Sequence, residues 1–290
     1  MKLGIITPVL TRLPRGHAKW EPDAGIAEVE RIAVEADGLG YDFLTCSEHV
    51  AVPVEVAKVR GGAYWDPLAV FGYLAARTSS IRLATFVLVL GYHHPLAIVK
   101  RYGTLDVVSG GRLILGVGVG TLEEEFELLG AEMSGRGARA DEAIEALRAS
   151  FGVEVPSFDG PTYRYRDLLV EPAGLQAPPP IWIGGSTARS LRRAVELGDG
   201  WAPFALSPDD VERLLSDARG TGAWSERTAP IDVILRPERP LDPLGDPDAA
   251  RRSVEQLRDA GATMLSVTFW NDSVDQYCEQ LAAMSDLVAG

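Results

Sequence analysis

IRLATFVLVLGYHHPLAIVKRYGTLDVVSGGRLILGVG, residues 81–118, holds two β-type runs with a helical stretch between them. The first run, residues 81–90, is nearly continuous in Val, Leu and Ile, as expected for a parallel strand covered on both faces. Pro95 opens the helix at a first helical position, and Gly110 closes it. RLILGVG, residues 112–118, is strand-like again. A strand, a helix and a second strand in this order make one right-handed crossover unit with parallel strands.

The same alternation extends in both directions. KLGIIT (2–7) and DFLTC (42–46) read as strands, with a helix over 25–39 whose Ile26, Val29, Ile32, Ala33, Ala36 and Leu39 recur at helical spacing. Residues 66–79 form a helix with Asp66 as N-cap and Pro67 in its first turn. Two helical stretches, about 122–130 and 137–151, follow the fourth strand. Residues 153–180 break the pattern with a Tyr/Arg-rich, hairpin-like piece and a proline loop. IWIGG, GWAPF, PIDVIL and TMLSVTF then continue as strands, with helices over 186–197, 208–220, 247–260 and 273–288. Eight βα units predict a (β/α)8 TIM barrel with an insertion, about 153–180, between strands 4 and 5. The whole of 1–290 is expected to be one barrel domain. A doubly wound open sheet is the alternative.

The chain has 290 residues, and a barrel of this type needs about 250. Hydrophobic residues make up 46%, which is enough for a large core. The net charge is −13 with no basic stripe, so neither nucleic acid nor an anionic membrane surface is an expected partner. The longest apolar run, residues 83–90, is far short of the ~20 residues of a spanning helix. MKLGIITPV does not read as a signal peptide, and the two cysteines, Cys46 and Cys278, make no disulfide framework. A cytoplasmic location with reduced thiols is expected.

In a barrel of this kind, chemistry sits at the C-terminal ends of the strands. After strand 2 stand Ser47, Glu48 and His49. Histidine exchanges protons near neutral pH, and an adjacent acid orients it or binds a ligand hydroxyl. The structural alternative is a strand-end histidine bonded to a neighbouring loop. GVGVGT (116–121) lacks the dinucleotide fingerprint spacing. Its glycines fit either a flat ligand against the backbone or a tight turn. Gly184, Gly185, Ser186 and Thr187 lead into a helix, which offers a phosphate site or merely a helix capped by Ser186. His93 and His94 point apart in an extended segment, and no HxH or HExxH spacing exists, so no catalytic metal is expected. No GxSxG elbow supports nucleophilic hydrolysis.

Several segments together resemble the bacterial luciferase-like flavin/deazaflavin oxidoreductase family. They are SEH (47–49), IRLATFVLVL followed by HHPL, LDVVSGGRLILGVGVG (105–120), RADEAIEALR (139–148) and PPIWIGGSTARSLRRAVELGDGW (179–201). The resemblance implies a (β/α)8 barrel that binds FMN or the deazaflavin F420 in its mouth, ring inward and phosphate outward. It places a non-prolyl cis peptide at Phe86–Val87. It also implies that Glu48 and His49 contact the ring, with His49 as proton donor and Glu48 orienting the cofactor or His49. Thr85, Phe86, Val87 and Val89 would line one side of the ring, and Gly118, Val119, Gly120 and Thr121 the other. Gly184, Gly185, Ser186, Thr187 and Ser190 would hold the phosphate.

Two departures bear on the substrate. Sugar-phosphate dehydrogenases of the family carry a glutamate at the position of Thr121 and a lysine after strand 6, where this chain reads APFAL (202–206). Both argue against glucose 6-phosphate. Trp201, Phe204, Trp270 and Tyr92 suggest either an aromatic mouth for a small, weakly polar substrate or ordinary rim packing. The short chain and its arginine-rich, GC-rich character resemble the F420 branch. The expectation is therefore an F420-dependent oxidoreductase that moves a hydride to or from the deazaflavin C5, as a homodimer. The alternatives are an FMN-dependent monooxygenase using reduced flavin and oxygen, and a flavin- or F420-binding protein without catalysis.

Overall fold

The computed structural model describes residues 1–14 and 16–289. The barrel strands are β1 (Lys2–Ile6), β2 (Phe43–Cys46), β3 (Arg82–Thr85, resuming at Leu88–Val89), β4 (Leu113–Gly118), β5 (Ile181–Gly184), β6 (Gly200–Ala202), β7 (Asp232–Leu235) and β8 (Met264–Val267). Because β3 is in two pieces, nine hydrogen-bonded segments make eight strands. All pair in parallel, β1 lies between β8 and β2, and β4 pairs with β5 to close the cylinder. The closed barrel, not the open sheet, is the fold.

The strand alternation sorts side chains into two cores. Phe43, Ala84, Ile114, Trp182, Ala202, Ile234 and Met264, one from each of β2 to β8, form the inner cluster. β1 contributes Gly4, and a Cβ there would lie 2.4 Å from the Phe43 ring. Phe43 stands edge-on to Trp182 at 5.0 Å. Mixing very small and very large residues in one layer is how a narrow barrel is filled. The alternate residues, such as Leu44, Leu83, Leu115 and Ile183, pack outward against the helices.

The helices are α1 (Ile26–Gly38), α2 (Val54–Arg60), α3 (Pro67–Ala75), α4 (Pro95–Ser109), α5 (Glu123–Leu128), α6 (Arg136–Ser150), α7 (Ala188–Leu197), α8 (Pro208–Arg219), α9 (Gly222–Ser225), α10 (Pro247–Asp259) and α11 (Val274–Ala289); all but the short α2 and α9 were expected. Asp66 caps α3 by accepting from the Ala69 N–H at 2.9 Å. Gly110 ends α4 with φ +70°.

Three local features matter for the site. The Phe86–Val87 peptide is cis, at the break in β3. The Thr11–Arg12 and Ala63–Tyr64 segments pair antiparallel and, with α2, form a flap that the sequence pattern did not signal. Between α6 and β5, Phe158–Asp159 pairs antiparallel with Arg164–Tyr165. Glu142 of α6 ties down that hairpin by accepting the N–H groups of Thr162 and Tyr163, each at 2.7 Å. Among the described residues no helix is long and apolar enough to cross a membrane.

Candidate active site

Glu48 and His49 leave the end of β2 on opposite sides, as successive residues of an extended chain must. Glu48 turns toward β3 and α4. Its Oε2 accepts the Val89 N–H at 2.8 Å and its Oε1 accepts from His93 Nε2 at 2.7 Å. Only 8% of Glu48 is exposed. This carboxylate pins the restart of β3 just past the cis peptide. Glu48 therefore does not orient His49. The residue that does is Glu125, near the start of α5, whose Oε2 lies 2.7 Å from His49 Nδ1.

Glu125 is a hub. Its Oε2 also accepts from the Tyr92 hydroxyl at 2.7 Å, and its Oε1 accepts the N–H groups of Val50 at 2.5 Å and Ala51 at 3.1 Å. Burial by itself raises the Glu125 pKa. The hydrogen bonds from Tyr92, His49, Ala51 and Val50 outweigh burial and hold it below the ordinary carboxylate range. An ionised carboxylate only accepts, so His49 donates its Nδ1–H to Glu125. The His49 side chain is 15% exposed, and its ring meets Tyr64 of the flap edge-on at 4.5 Å. Burial, then the bond to Glu125, raises the Tyr92 pKa, so this phenol stays a donor.

The wall at β4, with only β3 between it and β2, has few inward side chains. Along β4, Ile114 and the alternate residues Gly116 and Gly118 face inward, while Val117 and Val119 pack outward. Val87 crosses the mouth and occupies the space this leaves. A Cβ on Gly118 would lie 2.6 Å from Val87 Cγ2, and one on Gly184 2.8 Å from Val87 Cγ1. Phe86 packs on the inner barrel cluster and forms the floor with Val87.

Several residues expected at a ligand are instead committed to the protein. Thr85 is fully buried, and its hydroxyl donates to the Gly116 carbonyl at 2.7 Å. The Val89 side chain is buried. Ser190 is buried too, and its hydroxyl lies 2.7 Å from the carbonyls of Gly185 and Thr187. Thr187, not Ser186, caps α7 by accepting the Ser190 N–H at 3.2 Å. Trp201 is fully buried, and its Nε1 donates to the Gly185 carbonyl at 3.0 Å, so it braces the β5 turn rather than lining the mouth. Thr121 is exposed and accepts from Arg60 Nη2 at 3.3 Å. Beside it the flap borders a cleft of about 720 Å³ lined by Leu13, Pro14, Lys58, Val59, Arg60 and Tyr64.

The residues present fit a flat, phosphate-bearing ring. Phe86 and Val87, the latter packed over Gly118 and Gly184, offer an apolar surface. Beyond them, Gly185 with φ +126° and the N–H groups of Ala188 and Arg189, which open α7 ahead of the capped Ser190 N–H, are available to an anion. Among the described residues, no cluster of three metal-ligating side chains occurs. Sequence reasoning did not single out Glu125 or Arg60, and it weighed His93 only as a metal ligand, not as the partner of Glu48. For Glu125 a signal existed: Leu122, Glu125 and Phe126 share one helical face, and both neighbours are buried.

The chain is similar to known proteins along most of its length. An uncharacterized protein of Mycobacterium tuberculosis is 32% identical over 217 residues, covering 70% of this chain and 77% of its own. An F420-dependent glucose-6-phosphate dehydrogenase of Intrasporangium calvum is 26% identical over 264 residues, covering 87% and 73%. The monooxygenase RslO1 of Streptomyces bottropensis shares the fold with a TM-score of 0.81, at 23% identity over 100% of this chain and 99% of that one. The sequence model of the luciferase-like monooxygenases matches residues 1–282, and the chain belongs to that family of oxidoreductases.

Proposed function

We propose that this protein is an F420-dependent oxidoreductase whose proton port is the Nε2 atom of His49. When bound, the deazaflavin supplies a two-electron hydride donor or acceptor at C5. The observation that carries the reading is the Glu125–His49 pair beside a glycine wall. Glu125, ionised and held by four hydrogen bonds, fixes the tautomer of His49. The free Nε2 takes the hydroxyl proton when an alcohol is oxidised at the adjacent carbon, and returns it in the opposite direction. Glu125 stabilises the resulting imidazolium in either case. Glu48 and His93 hold the floor, and Val87 sets how deep a ring sits. Gly184, Gly185, Ser186 and Thr187 are the phosphate end of the same reading, with Ser190 bracing the turn from below. The likeness to an enzyme named for F420 supports this cofactor.

The test is a panel of secondary alcohols, aldehydes and enones given to the F420-loaded enzyme, read by the visible absorbance of the deazaflavin. Turnover of one of them in wild type, and its loss in His49→Ala with only modest weakening of cofactor binding, is the expected result. An unaltered rate in His49→Ala would remove the proton port.

A further inference from the structure

Arg236 follows the last residue of β7. Ile234 lies in the inner barrel cluster and Leu235 in the outer one. Arg236 precedes Pro237, which disfavours a helical turn at that point and keeps the chain extended. By alternation its side chain therefore rises on the same side as Ile234, into the mouth. Only β8 and β1 separate β7 from β2, and the interior is just wide enough for side chains. Arg236 and His49 thus both follow strands at the same, C-terminal end of the barrel.

Its surroundings are unusual. Arg236 is exposed to solvent, yet protein crowds it enough that desolvation holds its pKa below the ordinary arginine value, with no hydrogen bond or charge opposing the effect. Other partly buried arginines here are paired: Arg148 with Asp199, Arg82 with Asp42, and Arg112 with the carbonyls of Ser109, Ile81 and Ala75. Among the described residues none pairs with Arg236, so its guanidinium is available to a ligand's negative charge. Phe204 and Trp270, 47% and 50% exposed, follow the two strands that flank β7.

We propose that Arg236 anchors an anionic substrate, pairing with the carboxylate of an organic acid whose apolar body lies against Phe204 and Trp270. The reacting carbon then lies toward His49. This deepens the proposed function and rests on it. It changes the substrate class from weakly polar to amphiphilic, with one anionic end. The α7 turn already offers N–H groups for a cofactor phosphate, which leaves Arg236 for the substrate.

The test is calorimetric titration of the F420-loaded enzyme with benzoate and hexanoate, and with their neutral counterparts benzamide and hexanamide. Wild type is expected to bind the acids about 10- to 100-fold more tightly than the amides, the range of a charge-assisted hydrogen bond. Arg236→Ala should erase that difference and Arg236→Lys keep part of it, with the F420 affinity within about 3-fold of wild type. Equal binding of acid and amide by wild type, or no measurable binding of either acid, overturns the proposal. So does a loss of F420 affinity in Arg236→Ala as large as the loss for benzoate, since the guanidinium would then hold the cofactor. If the protein binds FMN and not F420, the same titration is run on FMN-loaded enzyme. An acid preference there sustains Arg236 while the deazaflavin reading fails.

Discussion

Glu125→Gln changes one atom and inverts the logic of His49. The amide oxygen still accepts the Val50 and Ala51 N–H groups, now at 2.5 and 3.1 Å from Glu125 Oε1. The amide nitrogen then takes the place of Oε2, which accepts from His49 and Tyr92 at 2.7 Å each. An NH2 group only donates, so His49 must offer Nδ1 as an acceptor and move its proton to Nε2. A histidine in that state has no free nitrogen to take a proton in the mouth. Losing a charge-assisted bond is worth about 1.5–3 kcal/mol, or about 3–12 °C of melting temperature for a domain of this size. Loss of general acid–base function costs about 10²–10⁴ in kcat. The direct assay is nitrogen-15 NMR of the imidazole, with His49→Asn to assign the signal, and it needs no substrate. At neutral pH, wild type should show the Nδ1–H tautomer and Glu125→Gln the Nε2–H tautomer, with F420 affinity changed by less than about 3-fold. The same tautomer in both proteins would refute the reasoning.

Three further outcomes follow from other parts of the molecule. Gly4→Ala places a Cβ 2.4 Å from the Phe43 ring inside the barrel, so a urea melt should show about 1–3 kcal/mol of destabilisation from overpacking, and a neutral result would mean the inner layer is loosely filled. Burial raises the Asp37 pKa, but the Ser80 hydroxyl and the N–H groups of Ser79, Ile81 and Ser80 outweigh it and leave Asp37 well below its ordinary value; Glu125 is lowered too. Carboxylates lowered in the folded state contribute fully above their unfolded pKa of about 4 and lose that contribution as pH falls further. Melting temperatures from pH 7 to 2.5 should therefore fall below about pH 4, and Asp37→Asn should flatten that fall; parallel curves would contradict the assignment. Burial raises the Cys46 thiol pKa and leaves 2% of the residue exposed, so native protein should resist iodoacetamide at Cys46 at neutral pH, as peptide mapping would show.

The barrel was legible because its signals are local. Alternating apolar runs, Pro95 opening a helix and Gly110 closing it, and Asp66 as a cap all act within a few residues. The inward side of β4 was legible for the same reason, since period two puts Gly116 and Gly118 on one side, but only the fold shows Thr85 and Val87 packed over them. The site was legible only in part, because its polar pairs are distant in sequence. His49 meets Glu125 76 residues away, and Glu48 meets His93 45 residues away. Neighbours in the chain, Glu48 and His49, were the natural pair to consider, yet an extended backbone sends them apart. Thr85, Ser190 and Trp201 carry hydroxyl or indole groups that suit a ligand, but nearby backbone carbonyls claim them. Residue type signals such capacity, and only the fold decides which partner takes it.

The measurement that bears most directly on the account is an equilibrium titration of the purified protein with F420 and, separately, with FMN, followed by fluorescence. The account predicts micromolar or tighter binding of F420 with little for FMN. Preference for FMN would contradict it, moving the function to flavin-dependent oxygenation and making oxygen consumption the next assay. Binding of neither would return Glu125 and His49 to a purely structural role at the end of β2.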